Sequence, residues 1–276
     1  MRIGVIQLNN GDDPILNLSC TQIFIADAVA QGATFVATPE VTNMVSTSQV
    51  YQNSVLRHEM DDQTLRALRA TAADLNIWLL IGSLTLKTNN PDGRFSNRSF
   101  LINSKGEIMA RYDKVHLFDV EISQTESYRE SAVYRSGRTV PVVATPTANI
   151  GMTICYDLRF PHLYRDLAQH GAHILTVPSA FSPVTGGAHW NSLLRARAIE
   201  NGCFVIAPAQ TGEHAISAGK PRSTYGHSLV VDPWGEVLLD AGTATGAHVV
   251  DLDLASVQIA RDRIPALQHD RIYAKP

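Results

Sequence analysis

The sequence lacks several features that would assign a protein to a class at once. It has three cysteines in 276 residues, an odd number that does not suit a disulfide framework. It contains no run of about 18 apolar residues, so the sequence predicts no membrane span. The net charge of -3 gives no electrostatic reason to expect nucleic acid or an anionic membrane as a partner.

Motifs for metal binding and for export are also missing. None of the ten histidines lies in an HExxH pattern and no two cysteines have zinc-ligand spacing, so we expect neither a metal nor another cofactor. The N-terminus leads straight into the strand-like run MRIGVIQL, without the regions of a signal peptide. We therefore expect a cytoplasmic protein with reduced thiols.

Short apolar runs alternate with segments of helical periodicity along the whole chain, which predicts an α/β, layered architecture. Hydrophobic residues make up 45% of the chain, enough for a sizeable core. With no linker or repeat in sight, we expect one domain over residues 1–276, with a C-terminal tail from about residue 261. The predicted strands are residues 2–8, 34–38, 77–82, 98–103, 108–112, 140–145, 149–154, 173–177, 204–207, 227–231, 237–240 and 248–252. The predicted helices are residues 17–30, 63–74, 161–170, 188–200 and 254–263.

The segment NIGMTICYDLRFP contains a candidate nucleophile, Cys155. An apolar strand ends just before it and a helix is predicted from Pro161, so Cys155 occupies a strand-to-helix turn where a nucleophile can stand exposed. The backbone N–H of Tyr156 would be free to face an oxyanion there. From position alone, a buried structural cysteine is an equally good interpretation. Cys20, in a predicted helix, and Cys203, at the start of an apolar strand, are interpreted as core residues.

Two further charged residues follow predicted strands. Glu40 comes just after the strand in GATFVATPE, a place where a carboxylate can act as a base, although a solvated turn residue is an equal alternative. Lys114 follows the strand in IMARYDK, and by itself is better interpreted as a surface residue.

Taken together, TPE at Glu40, YDKVHL at Lys114 and ICYDLRFP at Cys155 resemble the nitrilase (carbon–nitrogen hydrolase) superfamily, whose Glu–Lys–Cys triad has this chain order. The resemblance extends over nearly the whole chain. It implies a four-layer α-β-β-α sandwich, a homodimer or larger homo-oligomer, and a fourth functional residue that matches Glu130 in YRESAVY. It also implies a mechanism in which Glu40 is the base, Cys155 forms a thioester, and Lys114 and the Tyr156 N–H stabilise the oxyanion.

Within the superfamily, CYDLRFP is most similar to the Nit group. The stretches PSAFSPVTGGAHW, APAQTGEH and YGHSLVVDPWG look most like the Nit1-type deaminated-glutathione amidases. The resemblance therefore implies hydrolysis of a small carboxamide with release of ammonia and a carboxylate. The alternatives are an ω-amidase acting on α-ketoglutaramate or α-ketosuccinamate, an N-carbamoyl amino acid hydrolase, a glutaminase domain, and a scaffold protein that has kept the fold. The length leaves no room for the synthetase that a glutaminase domain serves, and an intact Glu–Lys–Cys set disfavours the scaffold.

Several residues are candidates for substrate binding. Arg159 lies near the nucleophile in sequence and could bind a carboxylate, but a salt bridge at the helix start is an equal interpretation. Phe181 and Thr185 match the pocket-flanking stretch of the family, and Tyr156 follows the nucleophile. The neighbouring His189 and Trp190 are interpreted as packing residues. In the irregular segment 118–138, Tyr128 and Arg129 are candidates for a lid.

Overall fold

The computed structural model describes residues 1–124 and 126–274. Thr125, inside the irregular segment 118–138, and Lys275 and Pro276, at the end of the expected tail, lie outside the described residues.

The helices and strands alternate along the chain much as the apolar periodicity predicts. In chain order the strands are β1 (Arg2–Gln7), β2 (Phe35–Ala37), β3 (Trp78–Leu86), β4 (Ser96–Ile102), β5 (Ile108–Asp113), β6 (Asp119–Glu121), β7 (Ser127–Arg129), β8 (Val142–Ala144), β9 (Asn149–Met152), β10 (Ile174–Thr176), β11 (Phe204–Ala207), β12 (Thr211–Glu213), β13 (Ser223–Tyr225), β14 (Leu229–Val231), β15 (Val237–Asp240) and β16 (Gly246–Asp251). The helices are α1 (Pro14–Ala30), α2 (Gln49–Val55), α3 (Gln63–Asp74), α4 (Pro161–Gln169), α5 (Pro183–Asn201) and α6 (Ala255–Arg263).

Two six-stranded sheets form the centre of the molecule. The first has the order β16-β1-β2-β3-β4-β5 and the second β15-β14-β11-β10-β9-β8. In each sheet three neighbouring strands are parallel, β1, β2 and β3 in one and β9, β10 and β11 in the other, while the remaining pairs are antiparallel. The two hairpins β6–β7 and β12–β13 stand outside these sheets.

The two sheets and the flanking helices make four layers. Alternating side chains of β1 show the division: Val5 belongs to the core shared with the second sheet, whereas Ile6 belongs to the core under α1 and α3. On the other side, Leu167 of α4 and Leu194 of α5 join the core of the second sheet. This is the expected α-β-β-α sandwich, and it brings the carboxyl ends of parallel strands from both sheets close together. No helix in the described part of the chain is long and apolar enough to cross a membrane.

Every predicted strand and helix has a counterpart, with ends shifted by a few residues. The sequence analysis missed α2 and the hairpins β6–β7 and β12–β13, whose strands have only three residues and carry no clear periodicity. Cys203 is buried as expected, but the interpretation of Cys20 was wrong, because it is exposed. The buried positions of α1 fall on another face of the helix, at Asn17, Thr21 and Ile25.

Candidate active site

Cys155 occupies a strained turn between a strand and a helix. It opens a single 3₁₀ turn, Cys155–Arg159, between the end of β9 and the start of α4. Its φ of 48° lies in the left-handed region, which side-chain-bearing residues rarely adopt. The Cys155 N–H donates to the Pro178 carbonyl at 3.0 Å, so the end of β10 fixes the turn. The Tyr156 N–H finds no acceptor among the described residues, as expected for a donor held ready for an oxyanion.

Three other predicted residues meet beside this turn. The Lys114 ammonium lies 2.9 Å from Glu40 Oε1, and 3.0 and 2.9 Å from the two oxygens of Glu130. Lys114 and Glu40 are only 2% and 4% exposed, so this is a buried ionic cluster and not a surface salt bridge. The alternatives of a solvated Glu40 and a surface Lys114 are therefore wrong.

Further donors fix the two carboxylates. Asn97 of β4 donates from Nδ2 to Glu40 Oε1 at 2.8 Å and lies 3.4 Å from Glu130 Oε1. The Ala180 N–H donates to Glu40 Oε2 at 2.8 Å, and the Phe118 N–H donates to Glu130 Oε2 at 2.5 Å. The sequence analysis missed Asn97, although a buried amide in the middle of a strand is a signal that could have revealed it.

The cluster sets the ionisation of its members. Burial would raise the pKa of Glu40, but the Lys114 charge and the hydrogen bonds outweigh it, and the pKa falls below its usual value. Burial acts against the Lys114 charge, yet the charges of Glu130 and Glu40 raise its pKa well above the usual value. Both groups are therefore ionised at neutral pH.

Cys155 behaves differently from these charged groups. Burial and then the Glu40 charge raise the pKa of its thiol well above normal, and the opposing effect of Lys114 is too small to reverse this. The resting group is a protonated thiol next to a carboxylate that can accept its proton, which suits general-base chemistry.

A third carboxylate, that of Asp157, links the Cys155 turn to the Lys114 loop. Asp157 Oδ2 accepts from the Ile154 N–H at 2.8 Å and from the Tyr112 hydroxyl at 2.6 Å. Its Oδ1 accepts from the backbone N–H of His116 at 3.0 Å and from His116 Nδ1 at 2.7 Å. Asp157 is completely buried, so these bonds form without competition from water. The network gives a role to Asp157 in the CYD motif and to His116 in the DKVH motif. The sequence analysis assigned no role to either residue.

Three of the candidate substrate-binding residues, Tyr156, Arg159 and Phe181, lie close together near the turn of Cys155. The Arg159 guanidinium lies 5.9 Å from the ring centre of Tyr156 and 5.6 Å from that of Phe181, and its Nη2 is 3.2 Å from His189 Nδ1. It has no carboxylate partner among the described residues, so the salt-bridge interpretation was wrong.

Thr185, the fourth substrate-binding candidate, and the two predicted packing residues, His189 and Trp190, all lie on α5. Thr185 lies in the first turn of α5, with its hydroxyl 3.5 Å from the Ser182 carbonyl. Trp190 is buried, as expected, and donates to the His227 carbonyl at 2.8 Å, but His189 is exposed and is therefore not a packing residue.

The segment 118–138 also contacts the turn of Cys155. The ring of Phe118 lies 5.0 Å from those of both Tyr128 and Tyr156, which links β7 to the turn of Cys155. Arg129 is exposed and pairs with Glu121 at 3.0 Å across the β6–β7 hairpin. The lid remains a prediction, with Tyr128 as its inward-facing candidate.

The chain is similar to known proteins over almost its whole length. The carbon-nitrogen hydrolase family model matches residues 2–262. The chain is 37% identical over 273 residues to a deaminated glutathione amidase of Yersinia enterocolitica, covering 99% of this chain and 93% of the relative. The crystal structure of the C. elegans NitFhit protein superposes with a TM-score of 0.90 at 36% identity, over 98% of this chain and 65% of that one. An amidase from Nesterenkonia sp., with acrylamide added at its active-site cysteine, has a TM-score of 0.77 at 28% identity, covering 96% of this chain and 98% of that one.

The fold and these relatives define a hydrolase that acts on carbon–nitrogen bonds other than peptide bonds. Within that class, the chain belongs to the carbon–nitrogen hydrolase family, the nitrilase superfamily. The resemblance inferred from the three sequence motifs is thereby confirmed, as are the fold class and the hydrolysis of an amide C–N bond.

Proposed function

We propose that this chain hydrolyses deaminated glutathione through a thioester on Cys155, with Glu40, Lys114 and Glu130 as the other functional residues. The observation that carries the proposal is the buried contact of Lys114 with both carboxylates beside a protonated thiol. The identity to amidases of that name supports the choice of substrate.

In the proposed first step, Glu40 takes the proton of Cys155 while the sulfur attacks the amide carbon. The oxyanion is stabilised by the Lys114 ammonium and the Tyr156 N–H, each contributing roughly 3–4 kcal/mol in sites of this kind. Glu40 then passes its proton to the leaving nitrogen, which departs as ammonia from a primary amide or as an amine from a substituted one. The product of this step is a thioester.

In the second step, Glu40 removes a proton from water, the hydroxide attacks the thioester carbon, and the thiolate leaves and recovers its proton. Glu130 touches Lys114 through both oxygens, so its proposed role is to hold the ammonium toward the reacting carbonyl. Replacing it should lower kcat about 10- to 100-fold, the value of a hydrogen bond to a charged group.

The variants Cys155→Ala, Glu40→Gln, Lys114→Ala and Glu130→Gln test these roles when each is assayed for turnover of deaminated glutathione. We expect no turnover by the first three and slow turnover by the fourth, with thermal melting measured to show that each is folded. A folded variant among the first three that retains normal turnover would refute the role of its residue. Mass spectrometry of the Cys155 peptide after rapid quenching should also show an acyl adduct.

The second candidate function is ω-amidase activity, because a single carboxylate on the substrate would suffice to engage Arg159. Parallel assays of deaminated glutathione, α-ketoglutaramate and an N-carbamoyl amino acid separate the possibilities. A higher kcat/KM for either of the latter two would overturn the proposed substrate.

We further propose that the enzyme works in the cytoplasm as a homodimer or larger assembly. Exposed apolar side chains support an assembly: Ile199, Trp234 and Ile264 line a recess of about 230 Å³ near the end of α5. Light scattering after size exclusion measures the mass directly, and a monomer at micromolar concentration would refute this part.

A further inference from the structure

A second arginine reaches the site from the β12–β13 hairpin, which the sequence analysis did not recognise. Arg222 immediately precedes β13, and its Nη2 donates to the Ala180 carbonyl at 3.1 Å. The N–H of the same Ala180 donates to Glu40 at 2.8 Å. The guanidinium therefore contacts the same residue, Ala180, whose N–H holds Glu40, the proposed base.

The charge of Arg222 also acts on two tyrosines near Glu130. Burial raises the pKa of Tyr128 and Tyr134, and the Arg222 charge opposes this rise in both. These two tyrosines lie on either side of Glu130 in the chain. Arg222 thus contacts Ala180 and lies near enough to the segment that carries Glu130 for its charge to act there.

The hairpin holds Arg222 in place before any ligand binds. The His214 N–H donates to the Arg222 carbonyl at 2.9 Å, and the buried His214 ring bonds to the Asn10 carbonyl at 2.7 Å and to Thr224 Oγ1 at 2.8 Å. At the hairpin tip, Ser217 donates to Asp12 through both its N–H and its hydroxyl. Anchoring of this kind lowers the entropy that a side chain loses when it binds a ligand.

Arg222 is half-buried, and it has no carboxylate within ion-pair distance among residues 1–124 and 126–274. A guanidinium has five N–H donors, which suit the two oxygens of a carboxylate. Arg159 is also half-buried without a carboxylate partner in the part of the chain that the structure describes. The two arginines contact neighbouring residues: Arg222 donates to the Ala180 carbonyl, and Arg159 lies over the Phe181 ring. Two guanidinium groups that lack carboxylate partners among the described residues and contact neighbouring residues match a substrate with two acidic groups.

We propose that Arg222 is a specificity-determining residue that binds one carboxylate of a dicarboxylic amide, while Arg159 faces the other. This inference rests on the proposed function and narrows its substrate class: deaminated glutathione carries two carboxylates, whereas α-ketoglutaramate carries one. Arg222 thereby favours the larger, doubly acidic amide.

The test compares Arg222→Gln with the unchanged enzyme on three substrates: deaminated glutathione and two analogues, each with one carboxylate masked as a methyl ester. We expect the variant to raise KM for deaminated glutathione about 10- to 100-fold, with a smaller effect on kcat. It should also lose the preference of the unchanged enzyme for deaminated glutathione over one of the two esters.

The matched control is Arg195→Gln, because Arg195 likewise donates to a backbone carbonyl, that of Gly235 at 2.8 Å, but is exposed on α5 away from the site. We expect the control to keep the preferences of the unchanged enzyme. If Arg222→Gln lowers kcat/KM equally for all three substrates, or for none, the inference is wrong. If the folded unchanged enzyme hydrolyses none of the three, the proposed function itself fails, which is a different result.

Discussion

Replacing Asp157 with asparagine removes one oxygen from a carboxylate that accepts four hydrogen bonds. One oxygen serves the Ile154 N–H and the Tyr112 hydroxyl, and the other serves the backbone and ring of His116. Whichever way the new amide is oriented, its NH₂ group faces a backbone N–H, either that of Ile154 or that of His116. A hydroxyl can turn to accept, but a backbone N–H cannot.

The magnitude follows from these bonds. A buried N–H left without an acceptor costs about 1–3 kcal/mol, and the remaining bonds weaken because the acceptor is no longer charged. The sum is a loss of about 2–4 kcal/mol in the free energy of unfolding, which corresponds to a fall in Tm of roughly 5–15 °C for a chain of this size. Asp157 links the turn of Cys155 to the loop of Lys114, so kcat should fall as well.

Thermal unfolding followed by circular dichroism, together with amide turnover, measures both effects. The control is Asp166→Asn, an exposed position on α4, which should melt and turn over like the unchanged protein. If Asp157→Asn melts with the control, the energetic reasoning is wrong. If it melts early but keeps normal kcat at a temperature where it is folded, the network stabilises the fold without positioning the site.

Two further predictions concern pH and thiol reactivity. Burial lowers the pKa of His214 from the usual 6.5 to about 4. Between these two pH values the unfolded chain binds a proton at this residue and the folded chain does not, so the free energy of unfolding should fall as the pH drops from about 6.5 toward 4. Urea unfolding at pH 7.5 and pH 5 should differ by about 2 kcal/mol from this group, and His214→Gln should remove that difference; an unchanged pH dependence would contradict the neutral buried ring. A small uncharged amide-like electrophile at neutral pH should label Cys155, where Glu40 can take the proton, and also the exposed Cys20, but not the buried Cys203. Peptide mapping that finds Cys203 labelled ahead of Cys155 in folded protein would refute this.

Periodicity was enough to predict the strands of the two sheets, because strands covered on both faces are continuous apolar runs and the helices between them are amphipathic; that the strands form two stacked sheets followed only from the family resemblance. Periodicity did not predict the α2 helix or the β12–β13 hairpin, because both are held by side-chain contacts from distant parts of the chain. Ser217 with Asp12 is an example, since the two residues are 205 positions apart. The sequence around either residue does not indicate such a distant partner.

The same distinction holds for the site. Glu40, Lys114 and Cys155 each follow a strand, so the layered fold alone brings them to one edge. Asn97 and Arg222 depend on register and on hairpin geometry, which a single sequence does not reveal. The thiol's raised pKa could not be predicted either, because it depends on how deeply the turn is buried and on which charges surround it.

The four groups of Glu40, Glu130, Lys114 and Cys155 are two carboxylates, one ammonium and a neutral thiol, and together they carry a charge of -1 at rest. In the proposed mechanism the proton moves from sulfur to Glu40 and later to the departing nitrogen, and neither transfer changes the total charge of these groups and the substrate. Acylation by the proposed mechanism therefore requires neither a counterion nor a proton from bulk water. Solvent is needed only in the second step, when a water molecule hydrolyses the thioester.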